Sequence, residues 1–152
     1  MKSFDDKDCL TETLGRVRAL HSNSARRWGR MTVNQMVCHL DDTYRMAAGE
    51  RSAEGASSLW MRTGIKFIAL HVPLPWPKGI ATLAEVDAER DGTVPTDLSA
   101  DLARLDQSLQ TFVSVAQTGQ CGRHPLFGRL SRAEWLRWGY LHADHHLRQF
   151  SA

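Results

Sequence analysis

The chain has 152 residues, 42% hydrophobic and 24% charged, with a formal charge of +2. That length fits one domain and leaves no room for a second catalytic domain of ordinary size. The composition excludes a disordered or fibrous chain, and the near-balanced charge argues against a polyanion-coating protein.

Leu10, Leu14, Val17 and Leu20 recur at helical spacing, which predicts a first helix over about Asp8 to Leu20. The polar stretch His21-Ser-Asn-Ser-Ala-Arg-Arg follows as a loop. Thr32-Val-Asn-Gln35 has the form of a capping box, in which the threonine hydroxyl and the glutamine side chain satisfy backbone amides at a helix start. This second helix runs to about Ala48, with Val33, Met36, Leu40, Tyr44 and Ala47 as its buried stripe and His39 at the stripe's edge. Ser57 to His71 predicts an extra, shorter helix that the proline run Pro73-Leu-Pro-Trp-Pro-Lys-Gly79 stops.

Residues 85–91 alternate acidic and apolar positions and are expected to form a charged surface. Leu98, Leu102, Leu105, Leu109, Phe112 and Val115 make a long third helix over Leu98 to Thr118. Ser131-Arg-Ala-Glu134 is a second capping box and opens the last helix, which reaches about Phe150 along the seam Leu136, Tyr140, Ala143, Leu147 and Phe150. No segment alternates with period two long enough to build a sheet. The expected fold is therefore all-α, a single four-helix bundle with an extra short helix and a long proline-containing connection.

The last helix places His142 and His146 four residues apart, one turn above the other, where two imidazoles can share one ion. Such a pair also arises by chance, so a third imidazole is needed, and His39 is the candidate because it sits mid-helix beside a buried stripe. Three neutral imidazoles suit a divalent ion such as zinc or nickel and leave a position for water or substrate. Such an ion lowers the pKa of bound water toward about 7, or holds an incoming thiol as its thiolate. Gln149, one turn beyond His146, can hydrogen-bond at the same site. His145 projects toward the charged side of the helix and is expected at the rim. Asp42, one turn past His39, is the nearest carboxylate in sequence and a candidate to orient an imidazole or act as a base. Met36, Trp135 and Trp138 are candidates to wall a substrate pocket.

A histidine in the second helix followed far downstream by His-x-x-His-His-x-x-Gln resembles the DinB-like (DinB/YfiT-type) superfamily of metal-dependent enzymes. The resemblance is strongest in Trp28-Gly-Arg-Met-Thr-Val-Asn-Gln-Met-Val-Cys-His39-Leu and from His124-Pro-Leu-Phe-Gly128 through Phe150, segments similar to a little-characterised branch of that superfamily. It implies a four-helix bundle with an up-down-down-up path and a divalent metal held by three histidines, which match His39, His142 and His146. It also implies thiol-S-transferase, isomerase or hydrolase-like chemistry with a low-molecular-weight thiol. The ending reads His146-Leu-Arg-Gln149 where the superfamily commonly has His-Arg-Gly-Gln, which moves no ligand.

Trp60 and Trp76 flank the proline-rich connection, whose expected state is a packed surface loop rather than a lid. Arg26, Arg27 and Arg30 surround Trp28 in what reads as a solvated charged turn. Cys9, Cys38 and Cys121 are odd in number and contain no Cys-x-x-Cys pair, so reduced thiols are expected, with Cys38 as a small buried hydrophobe pointing away from His39. The start Met-Lys-Ser-Phe-Asp-Asp lacks a signal peptide's apolar run, and Ile65 to Trp76 is too short and too proline-broken to span a bilayer. The expectation is a cytoplasmic protein acting on a small molecule, away from membranes and nucleic acid, with a homodimer left open. The alternative is a metal- or small-molecule-binding module without turnover.

Overall fold

A computed structural model describes residues 1–52 and 58–152. Helix α1, Lys7–Arg18, begins where the Asp6 carboxylate accepts the backbone N–H of Asp8 at 2.9 Å. Both expected capping boxes form. Thr32 Oγ1 accepts from the Gln35 N–H at 3.2 Å while Gln35 Oε1 accepts from the Thr32 N–H at 2.8 Å, opening α2, Val33–Ala47. Ser131 and Glu134 exchange the equivalent pair at 3.3 and 2.8 Å and open the last helix, Arg132–Gln149.

Between them, a single π-helical turn, Met61–Ile65, runs into α3, Lys66–His71, whose one buried residue is Leu70. The start expected at Ser57 lies outside the described residues. Helix α4, Leu98–Thr118, is capped by Asp97 and ends at Gly119 in the left-handed region, φ 74°. The last helix is α5. Among the described residues there is no strand, only one isolated bridge between His124 and Gly128. Among them, no helix is long and apolar enough to cross a membrane.

Helix α2 packs on α4 and α5, α1 packs on both of these, and α3 lies against α5. As the inner element, α2 buries 12 of its 15 residues, so its apolar stripe has no exposed edge. His39, expected at such an edge, is 5% exposed. The centre of the core stacks Tyr44 on Phe112 at 5.1 Å, and the Tyr44 hydroxyl donates to the Gly139 carbonyl at 3.0 Å.

Gly139 is where α5 approaches this stack most closely. A Cβ there would overlap the Phe112 ring, standing 2.9 Å from Cζ, and would press on Phe4 Cδ2 at 3.2 Å. Gly139→Ala is therefore expected to destabilise the fold by about 1–3 kcal/mol through overpacking. Gly15→Ala, in mid α1 with nothing within 4 Å of the new carbon, should stabilise by about 0.5–1 kcal/mol. Urea unfolding midpoints that move in the same direction for both variants would contradict this packing account.

Candidate metal centre

Helix α2 supplies His39 and α5 supplies His142 and His146, and one nitrogen from each lies within 4.8 Å of the others. The three rings meet edge to face, with centroids 4.8–5.1 Å apart. Each Nδ1 faces outward to an acceptor. His39 Nδ1–H donates to the Val86 carbonyl at 2.8 Å, and His146 Nδ1–H donates to Gln149 Oε1 at 3.1 Å. The amide orientation of Gln149 is set in turn, because its Nε2 donates to the Trp28 carbonyl at 2.8 Å. The Thr43 hydroxyl spends its proton on the Leu40 carbonyl at 2.9 Å, which leaves its oxygen to accept from His142 Nδ1–H at 3.5 Å.

The acceptors Val86 O and Gln149 Oε1 place the protons of His39 and His146 on Nδ1, which leaves the Nε2 lone pairs of these two rings free for a metal. His39 Nε2 and His142 Nε2 are 3.2 Å apart, bridged by the His142 proton when it sits on Nε2 and left as two facing lone pairs when it sits on Nδ1. Two facing lone pairs repel unless a cation separates them. A tetrahedral ion with bonds of about 2.0–2.1 Å needs ligand nitrogens about 3.3 Å apart. The His39–His142 pair matches that spacing, and the three nitrogens, all within 4.8 Å of one another, could hold a divalent ion, with outward contacts of the kind that orient metal-bound imidazoles.

Burial and mutual repulsion push His142 and His146 well below the ordinary histidine pKa, and burial lowers His39. All three are neutral at pH 7, the form that binds metal. A fourth histidine, His124, was not singled out from its residue type. It is 6% exposed, stacks on Phe127 at 4.6 Å, and burial lowers its pKa to about 3.

A buried histidine held below its unfolded value of 6.5 takes up a proton more readily once the chain unfolds. Stability is then highest above pH 6.5 and falls as the pH drops toward the folded value. At pH 5 His124 alone is expected to cost about 2 kcal/mol, and the three converging histidines add to this. Asp101 and Glu134, held below their usual values chiefly by hydrogen bonds from Thr96 and Lys66 against the opposing cost of burial, titrate at lower pH and do not confuse that window. The urea midpoint in the presence of chelator should therefore fall between pH 7.5 and pH 5, and an unchanged midpoint would contradict neutral burial.

The other expected residues separate into those at the site and those elsewhere. Gln149 is at the site, as described. The turn that meets it contains Gly29 at φ 77°, where a Cβ would stand 2.5 Å from Gln149 Nε2, so only glycine lets Trp28 come this close. His145 is half-buried between Trp28 and Trp76, at 5.9 and 6.2 Å, outside the ligand triad. Trp138 packs against His142 with ring centroids 5.0 Å apart.

Asp42 neither touches an imidazole nor is free to act as a base. Its fully buried carboxylate accepts from Arg51 Nη1 at 2.9 Å and from the Thr93 N–H and hydroxyl at 2.7 Å each. Met36 and Trp135 are core residues, 0% and 2% exposed, and neither reaches the cavity described below. Met36 lies one turn before His39, where α2 is sealed by its neighbours. The α2 residues that do reach the cavity are Thr43 and Met46, on the other side of His39.

Two loops were underestimated. Residues 85–91 are more than a charged surface: Val86 and Asp87 are 3% and 2% exposed, and the turn Ala84–Val86 presents the carbonyl that holds His39. Arg30 reaches across to pair with Asp87 and Glu89, so it is not a free solvated cation. Arg27 Nε donates to Ser151 Oγ at 2.6 Å, tying the same turn to the chain's end. The proline connection also reaches the centre. Trp76 lies 6.0 Å from His142, and its indole N–H donates to the Ala69 carbonyl at 2.9 Å. Trp60 is 68% exposed.

Cys9 and Cys38 are buried free thiols, Cys121 is half-buried, and burial pushes Cys38 up to about 12.

The three histidines open on a cavity of about 900 Å³, bounded by Trp28, Met46, Trp76, His124 and Trp138 among others. The volume is that of a small-molecule site.

No curated protein and no solved structure matches the chain. A family model does, over residues 4–152, and the chain accordingly belongs to the family described as "Protein of unknown function (DUF1569)".

Proposed function

We propose that this chain is a divalent-metal-dependent enzyme that uses His39, His142 and His146 to hold zinc or nickel and acts on a small molecule by thiol transfer or hydrolysis. The observation that carries the reading is the convergence of one nitrogen from each of three imidazoles, with the Nδ1 of each ring facing a polar partner. When bound, the ion supplies Lewis acidity and a nucleophile drawn from water or a low-molecular-weight thiol at neutral pH.

The protein's own groups supply the rest. Val86, Thr43 and Gln149 fix the imidazole planes. Trp28, Trp76 and Trp138 exclude water around them, which strengthens electrostatic interactions inside. The helical packing and the resemblance of the Trp28–Leu40 and His124–Phe150 segments support a DinB-like four-helix bundle with an up-down-down-up path. The absence of disulfides among Cys9, Cys38 and Cys121 suits a reducing cytoplasm.

Metal content of protein purified without a histidine tag, read by inductively coupled plasma mass spectrometry, is the first test. About one equivalent of zinc or nickel is expected. Protein that takes up no divalent ion even after incubation with zinc and nickel overturns the reading. The loaded protein is then screened with thiol and electrophile pairs and with ester substrates. Metal bound without any turnover would leave a binding module in place of the enzyme.

A further inference from the structure

The wall of the cavity is mostly carbon. Met31, Met46, Ile68, Leu74, Leu83 and Phe127 contribute to it, and no Asp or Glu lines it among the described residues. The apolar character continues outward at its mouth. Of the nine large hydrophobic residues exposed among the described residues, seven lie at positions 59–80, and Ile65, Ile68, Leu74 and Ile80 also line the cavity. The sequence from Gly55 to Ala84 contains no acidic residue. Arg30 and Arg90 are the cations on this wall, and both already face the Asp87 carboxylate, so a charged ligand would lose its hydration here without a free ion-pair partner to replace it.

Among the polar groups on this wall, which include Arg30, Arg90, Gln149 and the unpartnered Nδ1 of His145 beside the three-histidine set, His124 stands apart. His124 Nδ1 accepts the backbone N–H of Leu126 at 3.1 Å and of Phe127 at 3.2 Å. The ring proton therefore sits on Nε2. That N–H has no protein partner among the described residues, on a side chain that lines the cavity and is 6% exposed. Trp138 lies between His124 and His142, with ring centroids 5.0 Å from each, so the free donor and the three-histidine centre flank the same indole. A donor on the cavity wall without a protein acceptor is a place where a ligand oxygen is welcome.

We infer that the cavity takes a small, uncharged, largely apolar molecule with one carbonyl oxygen, whose oxygen accepts from His124 Nε2–H while its apolar body lies along the wall toward the 59–80 mouth. This names the substrate class for the function proposed above and rests on that reading for catalysis, but binding itself does not need the ion. His124 is then a specificity residue, choosing ketone-like oxygen over a bare hydrocarbon.

The test is calorimetric titration of the full chain in the presence of chelator, using 4-phenyl-2-butanone, its longer homologue 6-phenyl-2-hexanone, butylbenzene and 4-phenylbutyrate. Affinity is expected to rise about fourfold for each added methylene, and the ketone should bind about two- to twelvefold more tightly than butylbenzene. In His124→Phe, the ketone and the hydrocarbon should bind alike. Should that variant fail to fold by circular dichroism, the wild-type ketone and hydrocarbon pair alone decides the point. Equal binding of that pair to the wild type removes the role of His124. Tightest binding by phenylbutyrate, or no gain with length, overturns the apolar class. Because chelator is present throughout, a failure here and a failure of the metal-content test are independent results.

Discussion

Alanine at His142 is expected to reduce zinc from about one equivalent to near none, with an affinity loss greater than about 100-fold, since even partners that only orient a ligand are worth 10- to 100-fold. His142 lies 3.2 Å from His39 through Nε2 and one helical turn from His146. Without it, two imidazoles from different helices remain, and the ion would have to recruit solvent for half its coordination.

The same experiment has a thermal signature. Zinc at 100 times its dissociation constant should stabilise the wild type by about 2.7 kcal/mol, or about 5–11 °C in Tm for a chain of this size. In His142→Ala the rise should vanish. The metal-free variant should unfold within a few degrees of the metal-free wild type, because His142 lines a cavity and its Nε2 contact with His39 is worth about 0.5–1.5 kcal/mol at most. Metal analysis and melting curves with and without zinc check both points. A variant that retains stoichiometric zinc would remove His142 from the ligand set.

Asp42→Ala is expected to destabilise the fold by about 1–3 kcal/mol, the cost of leaving a hydrogen-bond donor unsatisfied in the interior. The carboxylate is fully buried and receives three hydrogen bonds, one from Arg51 and two from Thr93. Its loss leaves the Thr93 amide without its acceptor and the Arg51 guanidinium with only the Asp91 carbonyl and the Thr93 hydroxyl.

There is a second consequence at the metal centre. Thr93 closes the loop whose other end carries Val86, and the Val86 carbonyl holds His39. Releasing that anchor should lower zinc affinity by about 10- to 100-fold, the usual effect of losing a group that orients a ligand. Urea unfolding and competition with a zinc chelator measure the two effects separately. A destabilised variant with wild-type zinc affinity would show that the loop holds His39 without help from Asp42.

Helix boundaries were readable from the chain because their causes are local. The two capping boxes involve residues three apart, and the expected starts at Thr32 and Ser131 match the observed caps. Helix α4 spans Leu98–Thr118 as its leucine spacing predicts, since Asp97 and Gly119 punctuate it at either end. The His142 and His146 pair was legible for the same reason, four residues being one turn.

What lies around the pair depended on packing between segments far apart. The Val86 carbonyl meets His39 across 47 positions, Trp28 meets Gln149 across 121, and His39 meets His142 across 103. No periodicity encodes such distances. The role of Asp42 illustrates the difference. Its spacing placed it one turn from a candidate ligand and suggested direct contact, yet a buried carboxylate goes to the strongest donors within reach, and packing brought Arg51 and Thr93 there first. Met36 and Trp135 fell to the core because apolar spacing identifies a buried face without saying whether that face meets another helix or a cavity. His124 carried no spacing signal at all. It acquires its single tautomer and its free donor from the turn that closes back on it at Leu126 and Phe127, and its neighbourhood to His142 from the fold.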